Sequence, residues 1–211
     1  MNATVMKLRG VRTRKRGTRT SKMCHRPPCL AVSALISLIF LVGGQPGPAQ
    51  GTASSEHQVK AAFLYHFSQF VDWPEGTFKE ASSPLTYCTL GEDPFQGALE
   101  ASLNGKTVGT RPIRVLHFKQ QKDIQGCQVL FIGPVEKRAL SGVLASLKDN
   151  AVLTVGESDQ FVETGGMIGF LLEDNKIRFE INLEAAERAK LKMSSRLLAL
   201  AKTVIGGHRG T

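Results

Sequence analysis

The chain has 211 residues, 27 of them Lys or Arg and 18 Asp or Glu, with a formal net charge of +9. This length predicts one domain with a tail or at most two small domains, and an apolar content of 42% excludes global disorder. The excess charge lies in residues 1–53, which hold nine Lys or Arg and no acidic residue. The remainder carries 18 residues of each sign, so the neutral folded part is not expected to bind nucleic acid.

An apolar run, LAVSALISLIFLV at 30–42, follows the basic segment and precedes the small-residue segment GGQPGPAQGTASS. The run is shorter than the roughly 20 residues that span a bilayer, and this order of segments is typical of a secretory signal peptide. We therefore predict a signal and cleavage region at 1–53, cut between Ala49 and Ser55, a domain at 54–205 and a flexible tail at 206–211. An uncleaved anchor and a disordered basic tail are the alternatives, and Met23 is an alternative start.

If the chain is exported, the cysteines of the mature domain can form a disulfide. Cys24 and Cys29 leave with the signal, whereas Cys88 and Cys127 remain in an oxidising compartment and can pair in only one way. Two buried free thiols are the alternative. No CxxC motif or Cys/His cluster is present in the sequence, so we expect no structural zinc site and no metal.

The first predicted element is an amphipathic helix over 57–72. Its buried face is predicted to carry Val59, Phe63, His66, Phe67 and Phe70, and Trp73-Pro74 is predicted to end it. A strand at 85–90 follows, then a short helix opened by Asp93-Pro94, a turn at Asn104-Gly105, and strands at 113–118 and 128–132.

A helix at 136–147 and a strand at 151–155 come next, followed by a hairpin whose arms, 167–172 and 176–181, flank the polar turn at 173–175. In its second arm Phe179 is predicted to face the core, with Arg178 and Glu180 on the opposite, exposed face. Two helical stretches, 183–190 and 194–204, close the chain. The pattern predicts a single α/β domain with a mixed, mostly parallel sheet flanked by helices and a C-terminal antiparallel hairpin.

Known catalytic fingerprints are missing: there is no GxGxxG after a strand, no GxxxxGK[ST], no HExxH and no GxSxG. His66 and His117 fit structural roles better than catalytic ones, and His57 and His208 lie near the predicted domain ends. Gly165 and Gly166 precede a strand, which suggests positive φ or close approach of another segment. We expect a non-enzymatic protein without cofactors.

One geometric feature suggests where a small ligand would bind. Several polar residues follow the ends of apolar strands, where open α/β sheets place their ligands. They form a candidate ligand rim: Glu92, Asp93, Glu157 and Ser158.

Several stretches together resemble the YfiR family of periplasmic regulators. They span nearly all of residues 57–204, and KIRFEINLEAAERAKLKMSSRLLALA, with its Arg178-Phe179-Glu180-Ile181-Asn182 core, is the most specific. The others are VKAAFLYHFSQFVDWPE, LGEDPF, GTRPIRV, CQVLFIG and VLTVGESDQFVETGGMIGF.

The resemblance implies an exported, dimeric, non-enzymatic protein that inhibits an inner-membrane diguanylate cyclase, with an OmpA-like outer-membrane lipoprotein as a second partner. It implies a disulfide between Cys88 and Cys127, while Val162 and Gly169 stand where a second cysteine pair is expected. Arg178, Glu180 and Asn182 are the candidate partner or dimer surface, and Trp73, Pro74, Gly165 and Gly166 are structural candidates. The alternative function is a periplasmic small-ligand-binding module that uses the candidate ligand rim.

Overall fold

The computed structural model describes residues 51–134 and 137–207, so the predicted signal segment up to residue 50 and the tail from 208 lie outside the described residues. Five helices are described: α1 Gly51–Gln69, α2 Ala98–Leu103, α3 Lys137–Leu147, α4 Leu183–Arg188 and α5 Ser195–Leu200. A single 3-10 turn lies at Gln121–Asp123. The strands are β1 Val71–Asp72, β2 Leu85–Leu90, β3 Thr107–Val108, β4 Arg111–Phe118, β5 Val129–Ile132, β6 Leu153–Gly156, β7 Ile168–Glu173, β8 Lys176–Asn182, β9 Lys192–Met193 and β10 Thr203–Ile205.

Eight strands form one sheet in the order β10-β8-β7-β6-β5-β2-β4-β3. The pairs from β4 through β2, β5 and β6 to β7 are parallel, while β7 and β8 form an antiparallel hairpin. Every residue of β2, β5 and β6 is buried, which explains their continuous apolar sequence, since both faces of a central parallel strand are covered. The predicted fold class is confirmed.

Two cores lie on opposite faces of the sheet, and the alternation along β5 separates them. Val129 and Phe131 join the core beneath α1, α2, α4 and α5. Leu130 and Ile132 point the other way and pack with α3 and with Phe161. Because side chains alternate along a strand, one four-residue segment connects both layers of the domain.

The buried face of α1 differs from the predicted one. Ala61, Leu64 and Phe67 are at most 1% exposed, whereas Val59 is 43% exposed and His66 is also exposed. Ala61 allows a close approach that a pattern search for large apolar residues misses. The predicted stripe was therefore wrong at Val59 and His66, although Phe63 still packs against Phe170 and Phe179.

The end of the chain also corrects the sequence prediction. The helix predicted at 194–204 ends at Leu200, and Thr203–Ile205 instead forms β10, which pairs in parallel with β8. Thr, Val and Ile are β-branched and favour extended backbone, and the N–H of Lys202 donates to the carbonyl of Phe179 as the chain joins the sheet. β10 is an edge strand that the periodicity did not reveal.

Candidate functional site

The β7–β8 hairpin positions the residues that the sequence singled out most specifically. Its loop has only two residues, Asp174 and Asn175, both with positive φ (49° and 59°), and Glu173 pairs with Lys176. Asp and Asn tolerate this left-handed geometry, which matches the twist of a two-residue hairpin. The loop fixes the register that buries Phe179 and turns Arg178, which is exposed, and Glu180, which is half-buried, to the other face.

Four charged residues interact on this face of the hairpin. They are Glu173 on β7, Arg178 and Glu180 on β8, and Lys202 just before β10, and we call them the hairpin charge cluster. Lys202 Nζ lies 2.9 Å from Glu173 Oε1. The pKa of Glu173 is lowered by this hydrogen bond, by the charge of Lys202 and more weakly by Arg178. The pKa of Lys202 is raised, mainly by Glu173 and more weakly by Glu180. The four charges interact with one another, and all of them except the half-buried Glu180 are exposed.

Asn182 lies on the same strand but does not share this surface. It is 9% exposed, its Oδ1 accepts from the N–H of Ala185 at 2.9 Å, and its Nδ2 donates to the carbonyl of Val162 at 2.8 Å. The side chain caps α4 and ties it to the loop before β7. Asn182 is therefore committed to the fold, which corrects its placement in the candidate partner surface.

The candidate ligand rim is partly occupied by an ion cluster. Glu157 is bound by Lys60 Nζ, which also lies 2.6 Å from Glu56 Oε1. Burial alone would lower the pKa of Lys60, but the hydrogen bonds to Glu157 and Glu56 outweigh it and hold the pKa above its ordinary value. At the neighbouring position the carbonyl of Ser158 accepts from the N–H of Phe161. The rim at β6 is therefore held against α1.

The other half of the rim follows β2. Asp93 does not open a helix directly: its carboxylate accepts from the N–H groups of Phe95 and Gly97 in a tight turn, and α2 begins only at Ala98. Gly97 has φ of 81°, which interrupts helical geometry before Ala98. Glu92 is exposed.

Two clefts of the described part lie away from this rim. One of about 270 Å³ lies near the start of β6 and β7, with Leu144, Met167 and Gly165 in its wall and Lys148 and Arg188 among its polar residues. Another, of about 530 Å³, lies between α2 and β4. Within residues 51–134 and 137–207, no group of His, Cys, Asp or Glu is arranged to hold a metal ion, and no helix has the length and apolarity to cross a bilayer.

A Thr-His-Glu arrangement that sequence analysis missed lies beside the larger cleft. Thr89 Oγ1 is 2.6 Å from His117 Nδ1, and His117 Nε2 contacts Glu100 Oε1. The order resembles a nucleophile, base and orienting acid, but Thr89 is 0% exposed, so its hydroxyl cannot be reached by a substrate. The arrangement joins α2 to the sheet and does not form a catalytic site.

Cys88 and Cys127 form a disulfide with a Cα–Cα distance of 5.9 Å. Cys88 lies in β2, and Cys127 lies in the loop just before the adjacent parallel strand β5. The residues in place of a second pair also lie together, since a Cβ added to Gly169 would come within 3.3 Å of Val162 Cγ1. The described fold therefore has one cross-link, within the core packed against α3.

The structural candidates have distinct geometric roles. Gly165 has φ of 109°, which strains a residue with a side chain, and a Cβ on Gly166 would overlap the ring of Phe161. The ring of Trp73 packs edge-on against Phe78 at 6.3 Å, and its Nε1 is buried with no hydrogen-bond partner among the described residues. The carbonyl of Pro74 accepts from the N–H and Oγ1 of Thr77.

Comparison with known proteins identifies a family, and solved structures with low sequence identity also match. A family model described as YfiR/HmsC-like matches residues 57–202. A conserved domain protein from Vibrio cholerae O1 biovar El Tor is 11% identical with a TM-score of 0.48, covering 70% of this chain and 60% of that chain. The ABC domain in complex with L-Trp from Streptococcus pneumoniae is 12% identical with a TM-score of 0.47, covering 71% and 60%. Similarity at this structural level carries no functional inference.

Proposed function

The chain belongs to the YfiR/HmsC-like family, and on that premise we propose that it is an exported regulator that inhibits an inner-membrane diguanylate cyclase by protein contact. The family match over residues 57–202 is the observation that carries the proposal. Members of this family regulate cyclic-di-GMP signalling from the periplasm, and the family is regulatory rather than catalytic. The chain itself would supply a surface and no reaction.

The hairpin charge cluster is the surface we assign to the partner or to a dimer mate. Arg178 and Glu180 lie on the sheet face opposite Phe179 and are not needed to fill the core. Charges of both signs at an exposed edge suit recognition, because complementary charges select a partner and exclude others.

Dimerisation and a second partner complete the proposal. Leu200 is 68% exposed and Val204 is 39% exposed, and they lie on α5 and β10 at the edge of the sheet next to the cluster. Exposed large apolar side chains at an edge favour burial against a second copy. An OmpA-like outer-membrane lipoprotein would then relieve inhibition by sequestering the regulator, as the family resemblance implies.

Release of the exported domain into the periplasm requires that the segment before it be removed. We place the cleavage between Ala49 and Ser55, from the order of basic, apolar and small-residue segments. Intact-mass measurement of protein recovered from the periplasm tests this. Retention of residues 30–42 would instead identify an anchor.

The experiment for the contact surface exchanges the two charges, Arg178→Glu with Glu180→Arg, so that net charge is unchanged. We expect this variant to lose most inhibition of the cyclase, measured as cellular cyclic-di-GMP, with a melting temperature within about 3 °C of wild type. The matched control exchanges two exposed charges in the loop after β1, Glu75→Lys with Lys79→Glu. Equal inhibition by wild type and both variants would contradict the assigned surface, and no effect of the wild-type chain on any co-expressed cyclase would contradict the function.

A further inference from the structure

The strand β4 is paired on one side along its length but on the other side only at its start. β2 pairs with Ile113 through Phe118, whereas β3 covers only Arg111 and Pro112. Beyond Pro112, the outer side of β4 is an edge of the eight-stranded sheet.

The hydrogen-bonding direction along β4 identifies which backbone groups face outward. The carbonyl of Phe118 accepts from the N–H of Gly91 at 2.9 Å, so Phe118 turns its backbone toward β2. Backbone groups alternate sides along a strand, so the N–H and C=O groups of Ile113, Val115 and His117 point outward. Ile113 also takes part in the β3–β4 ladder, because Pro112 has no N–H and its pairing with Thr107 is closed by the neighbouring N–H of Ile113. Within residues 51–134 and 137–207, the outward groups of Val115 and His117 have neither a strand partner nor a backbone hydrogen bond. Two donors and two acceptors are therefore available to another strand.

A groove runs beside this edge. The cleft of about 530 Å³ between α2 and β4 is lined by Leu103, Ile113, Val115 and Glu100, with Ala101, Asn104 and Gly105 completing its wall. Ile113 and Val115 are half-buried and form an apolar floor. The groove thus offers apolar contact next to an unpaired strand.

We propose that the edge of β4 from Val115 to His117 binds an extended segment of a partner protein as an added strand. Strand addition takes its affinity from backbone hydrogen bonds and its specificity from alternate side chains in a groove. Apolar side chains of the segment lie over Ile113 and Val115. The inference deepens the proposed function and rests on it only in taking the occupant to be a protein.

The charge of the strand favours a foreign acidic segment over a second copy of this chain. Residues 111–119, RPIRVLHFK, contain three Lys or Arg and no acidic residue, and Arg114 and Lys119 are exposed. Pairing two copies of β4 would bring like charges together, which is destabilising between strands. We therefore assign the occupant acidic residues at the alternate positions beside Arg114.

The probe is a fluorescein-labelled peptide, Glu-Val-Glu-Val-Glu-Val-Glu, added to the purified mature protein and followed by anisotropy. Its matched control is the same peptide with Lys in place of each Glu. We expect the acidic peptide to bind at least about tenfold more tightly, and amide exchange at Val115 and His117 to slow when it binds. No binding of the acidic peptide up to about 1 mM, or equal binding of the two peptides, overturns the proposal.

Two variants separate backbone pairing from side-chain contact. Val115→Pro removes an outward N–H that makes no bond within the described domain, and proline is tolerated at a sheet edge. Val115→Ala keeps the N–H. We expect Val115→Pro to weaken binding by roughly tenfold and Val115→Ala by less than about threefold. An acidic peptide N-methylated at the residues that face β4 tests the same bonds in the wild-type protein, and unchanged affinity of this peptide overturns the proposal even if the proline variant fails to fold.

Three further outcomes show which claim fails. Protection of these amides in the protein alone that disappears on dilution identifies a second copy as the occupant and overturns the acidic-segment assignment. A chain that inhibits the cyclase but does not bind the peptide retains the proposed function and loses this inference. A chain that binds the peptide but has no effect on cyclic-di-GMP retains this inference and loses the proposed function.

Discussion

The ring of Phe161 occupies the space that a Cβ atom on Gly166 would need. Gly156 approaches the same ring from β6, and a Cβ there would overlap it as well. The ring is 2% exposed and belongs to the core packed against α3. Two glycines therefore let the segment between β6 and β7 fold its aromatic residue inward, and this anchors the loop that leads into the hairpin.

Gly166→Ala is expected to destabilise the domain by about 2–3 kcal/mol, because the added methyl group overpacks a filled site. The cost should fall below about 1 kcal/mol in a Phe161→Leu background, since the smaller side chain vacates the space. Urea unfolding of both single variants and the double variant measures this coupling.

Gly165→Ala is the control for that comparison of single and double variants. Its Cβ would meet nothing within 4 Å, but its φ of 109° is strained for any residue with a side chain. A cost of about 1–3 kcal/mol is expected, additive with Phe161→Leu to within about 0.5 kcal/mol. Rescue of Gly165→Ala by Phe161→Leu would contradict the distinction between steric and backbone strain.

The elements that could be predicted from the sequence are those whose own residues show one clear pattern. β2 was predicted at its observed bounds, because its apolar run lies between Pro84 and Gly91, which both interrupt strands. α1 was predicted as a helix, but its buried face depended on the sheet beneath it, and a helical pattern that included Ala61 and Leu64 was overlooked. β1, β3 and β9 have two residues each, too few to show any period.

The site was predictable only where chemistry or family resemblance added to the pattern. The alternation around Phe179 indicated on which face Arg178 lies, and the compartment together with the family resemblance predicted the Cys88–Cys127 pair. By contrast, Lys60 and Glu157 are 97 residues apart, and nothing local in either segment indicates that they meet. Their contact follows from the docking of α1 at the end of β6, which is a property of the assembled fold.

The Cys88–Cys127 disulfide closes a segment with a sequence separation of 39. Replacing both cysteines by alanine should lower the free energy of unfolding by about 3–4 kcal/mol, because the unfolded chain regains the freedom that the cross-link removes. Urea unfolding of the double variant and of oxidised wild type measures the difference. Thiol labelling of unfolded, unreduced periplasmic protein is the companion assay, and two reactive thiols per chain would rule out the bond.

Tyr87 predicts how stability changes in alkali. Burial raises the pKa of its phenol above the ordinary value of 10.0, although the hydrogen bond with Ser68 acts the other way. The phenol therefore ionises in the unfolded chain near pH 10.0 but stays neutral in the fold, so its contribution is fully present below that pH and is lost as the pH rises above it.

Tyr87→Phe should keep stability within about 1 kcal/mol of wild type at neutral pH and lose less of it between pH 9 and 11. The pKa of Lys60 is also raised, so Lys60 likewise contributes stability that is lost at high pH. The Tyr87→Phe variant should therefore still lose part of its free energy of unfolding in alkali. Urea unfolding at a series of pH values measures both slopes. Identical slopes for wild type and Tyr87→Phe would contradict the burial of a neutral phenol.

The Lys60 ion cluster should contribute more to stability than an ordinary surface pair. The side chains of Lys60 and Glu157 are 11% and 18% exposed, so removing the cation leaves a mostly desolvated carboxylate without its partner. Lys60→Met should therefore cost about 1–3 kcal/mol at neutral pH, and adding Glu157→Gln should recover much of that cost by removing the unpaired charge.

Arg188→Met is the matched control, because Arg188 also pairs with a glutamate four residues earlier, Glu184, but these side chains are 38% and 60% exposed. Solvent screening weakens the attraction between the charges of such a pair. Its loss should lower the free energy of unfolding by no more than about 0.5 kcal/mol. Urea unfolding of the three variants beside wild type compares the two sites directly. If Lys60→Met costs no more than Arg188→Met, then Glu157 is solvated well enough to stand alone, and the contact between α1 and the end of β6 depends on apolar packing instead. A cost that Glu157→Gln does not reduce would instead attribute the loss to the lysine stem, whose methylene groups pack among the buried residues of α1.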